Sequence, residues 1–111
     1  MTVQELIDSE LFHLVNKGAD PGRQITMPFC CDLLSVAMGK APAGCAWVTV
    51  MGNMNTLAVA SLADAACVIL AEEAQPDEMA VKKAREQEIT VLQTDLPIFA
   101  AALAIHQRLN D

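Results

Sequence analysis

Ala46-Trp47-Val48-Thr49-Val50-Met51-Gly52-Asn53-Met54-Asn55-Thr56-Leu57-Ala58-Val59-Ala60 is the stretch that decides the fold class. An apolar run stops at Gly52, passes two asparagines and restarts as an Ala-rich segment with helical spacing. It reads as a strand over 46–51, a tight polar turn and a helix over about 55–64. Strand, turn and helix in that order are the unit of an α/β protein, and ligands of such proteins bind beside turns of this kind.

The pattern repeats downstream. Cys67-Val68-Ile69-Leu70-Ala71 is a continuous apolar run followed by charge, as expected of a strand buried on both faces. Pro76, Asp77 and Glu78 suit the start of a helix running to about Gln87, with Met79, Ala80 and Ala84 facing inward. Ile89-Thr90-Val91-Leu92-Gln93 is the last strand. Thr94 can cap a C-terminal helix over about 95–109, whose apolar face carries Ile98, Ala101, Ala102, Ile105 and Leu109.

Upstream, Thr2-Val3-Gln4-Glu5 has capping-box spacing and opens a short helix over 3–8. Short strands follow at 11–15 and 25–30, the second limited to an edge or a strand end by Pro28. A helix over 32–38 ends at Gly39 as its C′ residue, with Pro42 beyond. The expected architecture is one α/β domain over 1–111. Its mostly parallel sheet has four to five strands, with helices on the faces and the first two strands added together at one end.

Composition limits the function. The chain has 111 residues and is 53% hydrophobic, enough for one real core. A net charge of −7 argues against nucleic acid and against an anionic membrane surface, since both need a basic face. No apolar run reaches the ~18 residues of a membrane span, and the N-terminus lacks a signal-peptide pattern, so a cytoplasmic protein is expected. Cys30, Cys31, Cys45 and Cys67 show no Cys-x-x-Cys spacing and read as reduced, mostly buried thiols. Cys31, near a helix start, is the one whose pKa a helix dipole could lower.

Candidate ligand-binding residues cluster at two turns. Asn53, Asn55 and Thr56 offer donors, acceptors and helix N-terminal amides to an anion. The plainer reading makes Asn55 an N-cap and Asn53 a turn residue with positive φ. Thr94 and Asp95 start a helix after another parallel strand and should lie on the same sheet edge; the plainer reading is a cap and a dipole-offsetting carboxylate. His13 and His106 have no neighbouring nucleophile or carboxylate pair in sequence. Asp64, at a helix end, is set against the dipole and calls for a partner. Alanines at 58, 60, 63, 100, 101, 102 and 104 suit tight packing on the sheet, or close approach by a second chain.

Three segments taken in order resemble the DRTGG domain family. They are Ile25-Thr26 through Cys31-Asp32-Leu33-Leu34-Ser35-Val36-Ala37-Met38-Gly39; Trp47-Val48-Thr49 through Asn53-Met54-Asn55 and Ala58-Val59-Ala60; and Val68-Ile69-Leu70 through Pro76-Asp77, Lys83-Ala84 and Ile89. Thr2-Val3-Gln4-Glu5-Leu6 is also similar to the start of such domains. The family is similar in fold to the N-terminal domain of HPr kinase/phosphorylase, and related domains occur beside CBS pairs and in some phosphotransacetylases. The five-letter motif that names the family is absent, and so is any Gly-x-x-x-x-Gly-Lys-Ser/Thr phosphate loop, so kinase activity is not implied.

The resemblance implies a non-catalytic regulatory or small-ligand-sensing module, with no cofactor and no metal. The expected partners are a second copy in a homodimer and a small anionic or nucleotide-like ligand. A second reading is a protein-interaction partner of a redox enzyme, because similar stand-alone members lie near iron-hydrogenase-like genes. A third is a thiol- or metal-dependent enzyme using Cys30 or Cys31.

Overall fold

A computed structural model describes residues 1–110. The elements run α1 (Val3–Asp8), β1 (His13–Asn16), β2 (Pro28–Cys30), α2 (Leu34–Lys40), β3 (Ala46–Thr49), α3 (Met54–Leu62), β4 (Cys67–Leu70), α4 (Glu78–Glu86), β5 (Thr90–Gln93) and α5 (Ile98–Leu109). Five strands form one sheet in the order β1-β5-β4-β3-β2. β2, β3, β4 and β5 are parallel, and β1 is antiparallel to β5. The single α/β domain with a mostly parallel sheet is the architecture expected from the sequence.

The central strands are buried on both faces, which is why they read as unbroken apolar runs. Alternate residues feed two cores. Ala46, Val48, Cys67, Ile69 and Leu92 face α1 and α5, through Val3, Leu6, Ala101 and Ile105. Trp47, Val68, Leu70 and Val91 face α2, α3 and α4, through Ala37, Leu57, Ala60, Ala80 and Ala84. The alanines therefore serve packing in part: Ala60 and Ala101 are buried, and α3 lies close against α4.

Several expectations are corrected. β1 and β2 do not sit together but flank the sheet at opposite ends. The segment between them runs past α1, where Val3 and Gln4 donate backbone hydrogen bonds to Arg23 and Pro21, so the two strands cannot form a hairpin. Gly39 lies inside α2, whose C-cap is Ala41; the extended backbone there leads into Pro42. Met79 is exposed, since Ala80 and Ala84 already occupy the inward stripe of α4. Thr94 does not cap α5, which begins only after Pro97. The capping box of α1 forms as expected, with the Thr2 side chain accepting from Glu5 N–H and Glu5 from Thr2 N–H.

Asp64 has the partner that its position demanded. Its left-handed backbone, φ 61°, turns it away from the C-terminus of α3. The Arg23 guanidinium donates to its Oδ1 at 2.6 Å and Oδ2 at 2.9 Å, and to its carbonyl at 3.0 Å. These hydrogen bonds, with the Arg23 charge, hold the carboxyl below the usual carboxylate range.

Candidate functional site

The carboxyl edge of the parallel strands is where the polar turns collect. Asn53, not Asn55, is the N-cap of α3: its backbone is extended at φ −111°, and its Oδ1 accepts from Thr56 N–H at 3.2 Å. Asn55 sits one turn-step inside the helix and is exposed. Thr56 is fully buried, and its hydroxyl oxygen has no hydrogen-bond partner.

This turn is closed from outside. Asp77 N–H donates to the Gly52 carbonyl at 2.9 Å, and the loop before α4 lies so close that a Cβ on Gly52 would collide with the Gln75 carbonyl. Gly52 is therefore there for close approach between two loops rather than for left-handed backbone. Asp32 holds the same end of β3. Its Oδ1 accepts from the Thr49 hydroxyl at 2.7 Å and from Val50 N–H at 2.9 Å, while the Trp47 indole donates to the Cys31 carbonyl at 2.9 Å. The sequence offers Asp32 only beside Cys30 and Cys31 and gives no sign of this role, because its partners lie 17 and 18 residues away.

The turn after β5 is built differently. α4, after β4, packs on one face of the sheet, and α5, after β5, on the other. Neighbouring parallel strands whose chains leave to opposite faces open a crevice between their turns, the usual ligand position in such sheets. Here the 71–76 loop bridges it. Glu72 and Glu73 donate backbone hydrogen bonds to the Leu96 and Thr94 carbonyls, at 2.9 and 3.2 Å. Both glutamates hold left-handed backbones, φ 59° and 62°. The Glu72 carboxylate then accepts from Ile98 N–H at 3.2 Å and so caps α5, whose own N-cap residue, Pro97, gives no side-chain cap.

On the outer side of β5 an open groove of about 510 Å³ remains. Thr94 and Asp95 line it with Glu10, His13 and Gln93, and Ile7, Leu11 and Leu14 supply its apolar wall. The structure thus brings Thr94 and Asp95 together with His13 and Glu10. Asn53, Asn55 and Thr56 do not line that groove: Asn53 caps α3, Asn55 is exposed and Thr56 is buried. His13 joins the groove because β1 pairs antiparallel with β5, His13 opposite Gln93. No local sequence signal announces such a pairing.

The thiols are not arranged for chemistry together. Cys45 and Cys67 are buried, which pushes their pKa values up to about 11 and about 12. Cys30 is exposed and Cys31 half-buried, against the buried thiols expected there, because β2 is an edge strand; partial desolvation, with the Asp32 carboxylate nearby, still raises the pKa of Cys30. Both effects oppose thiolate formation. The Cys31 thiol donates to the Leu33 carbonyl at 3.3 Å. Among the described residues no three His, Cys, Asp or Glu side chains are grouped as metal ligands, and no helix is long and apolar enough to cross a membrane.

No protein-family model matches the chain, and no curated protein matches it in sequence. Among solved structures it is similar to the CBS and DRTGG domains of the regulatory region of Clostridium perfringens pyrophosphatase, complexed with its activator, diadenosine tetraphosphate. The TM-score is 0.72 at 15% identity, over 96% of this chain and 46% of that one. This chain thus spans about half the length of its neighbour. The likeness bears on the DRTGG resemblance and not on the HPr kinase comparison. At that identity it is one of fold: the chain has a DRTGG-like α/β fold.

Proposed function

We propose that residues 1–111 form one DRTGG-like unit acting as a regulatory, small-ligand-sensing module without catalytic activity, in a cytoplasmic homodimer. The observation that carries this reading is the open groove beside β5, with Thr94 and Asp95 on its rim at the carboxyl edge of the sheet. The fold likeness to a nucleotide-activated regulatory region supports the same reading.

The ligand is nucleotide-like rather than a bare anion. Glu10 and Asp95 both line the groove, and two carboxylates accept hydrogen bonds from ribose hydroxyls or base amino groups, so the groove suits the nucleoside part of such a ligand, with its phosphates directed away from them. Of the five candidate residues, Thr94 and Asp95 make first contact. Asn53, Asn55 and Thr56 stand outside the groove, at the start of α3.

The test is calorimetry and thermal shift with adenosine nucleotides and diadenosine tetraphosphate. Binding should be lost in Asp95→Ala and kept in Asn55→Ala, with both variants folded. Loss in Asn55→Ala alone would move the site to the β3 turn. No binding by any of these compounds, with a protein captured specifically instead, would favour the interaction-module reading.

A further inference from the structure

The charge of −7 is unevenly spread. Residues 25–63 contain one acidic residue, Asp32, and one basic residue, Lys40, while residues 96–107 contain no Asp, Glu, Lys or Arg. The whole surplus of carboxylates lies outside these two segments. The fold brings the two together, because α5 packs across β2 and β3. They meet around the outer edge of β2, the end of the sheet.

Both flanks of that edge are apolar. Pro28 and Cys30 pair with Ala46 and Val48, which belong to the α1–α5 core, so their side chains point to the α5 layer. One flank of α5, with Ala104 and Arg108, lines a groove with Leu11 and so faces the α1 side. The opposite flank carries Phe99 and Leu103, one turn apart, 75% and 39% exposed. On the other layer α2 lies at the end of the helix row, beside α3. Right-handed crossovers put α3 on one side of α2. They put Val36, about 100° before the buried Ala37, on the outer side. Val36 and Leu33, at the start of α2, are 40% and 59% exposed. Pro28 has no N–H to offer, so this edge does not invite an added strand, and what meets it must meet side chains.

We infer that this edge is the surface through which two copies of the chain associate, Phe99 and Leu103 from one layer and Leu33 and Val36 from the other flanking β2. The argument for a second copy is electrostatic. Two chains of charge −7 repel when their acidic surfaces meet, and this is a face they can join without bringing the surplus together. A twofold contact matches it to itself, apolar against apolar. Asp32, beside Leu33, is the one carboxylate of the 25–63 segment; Thr49 and Val50 fix its Oδ1, and a twofold contact has to hold its two copies apart.

This inference rests on the homodimer reading above and gives it a place. Sedimentation velocity at micromolar concentration should return about twice the 11.9 kDa chain mass. Phe99→Asp and Val36→Asp, on opposite flanks, should each weaken the dimer about thirtyfold or more. Met79→Asp, equally exposed but on α4, should leave it intact. Circular dichroism checks that each variant is folded, which their exposure favours. A monomeric wild type overturns both the surface and the homodimer reading. A dimer broken by Met79→Asp but untouched by the two edge variants overturns the surface alone.

Discussion

The turns after β3 and β5 start from the same plan, a parallel strand, a few polar residues and a helix, yet they end in opposite conditions. The β3 turn caps its own helix through Asn53 and is sealed by the loop before α4. The β5 turn leaves α5 to be capped by Glu72 from another loop, and its outer side stays open. The difference comes from where the helices go. α3 and α4 lie side by side on one face, so their leading loops crowd together. α5 crosses to the other face, and β1, which pairs along the far side of β5, leaves a groove open beside Thr94 and Asp95. A polar turn therefore becomes accessible through layer topology rather than through its own residues.

The sharpest way to break the contrast is Gly52→Ala. Its Cβ would stand 3.0 Å from the Gln75 carbonyl carbon and 3.1 Å from Pro76 Cα, both backbone atoms that yield only if the loops part. We expect a loss of about 2 kcal/mol and a melting temperature lower by about 10 °C, read by thermal unfolding. An unchanged melting temperature would mean the β3 turn is not sealed.

Asp32→Ala should follow, at about 1.5 kcal/mol in urea unfolding, because it strips an accepted hydrogen bond from both Thr49 and Val50. Equal stability would show that this end of β3 holds without it.

On the open side the pair Glu72→Ala and Glu72→Gly separates two effects. Alanine keeps the left-handed backbone and removes the cap of α5, a cost of about 0.5–1 kcal/mol. Glycine removes the cap too but relieves about 1 kcal/mol of left-handed strain, so it should match the wild type. Glycine falling as far as alanine would mean that the backbone there is unstrained.

The smallest effect belongs to Asp64→Asn, on an exposed pair. Because the folded carboxyl titrates below its ordinary value of 3.8, its contribution is present above that pH and lost as pH falls through the folded value. The variant should be slightly less stable at pH 7 and equal to wild type in strong acid. A difference that persists in acid would assign the effect to something other than the Arg23 pair.

Much of the fold was legible along the chain. Unbroken runs such as 67–70 identify strands buried on both faces, and the spacing of Ala80 and Ala84 or of Ala101 and Ile105 identifies inward helix faces. Thr2 announces a helix start through a cap that reaches only three residues, and Asp77 and Glu78 mark another as carboxylates at the positive helix end, where Asp77 proves to be the N-cap. A small part of the groove's lining was legible in the same way. Thr94 and Asp95 were recognisable as a polar turn after a strand, and they line the groove.

What the chain by itself determined is therefore local: the strand and helix alternation, the capping box of α1, most of the apolar faces and the uneven charge. Tertiary structure alone decided the rest. It sent β1 and β2 to opposite ends of the sheet, brought His13 and Glu10 beside Asp95, gave Asp64 its Arg23 and α5 its Glu72, and closed one polar turn while leaving the other open. The physical reason is range. Periodicity and caps act within a turn or two of chain, whereas these pairings join residues tens of positions apart. Only the packing of whole layers brings them within reach.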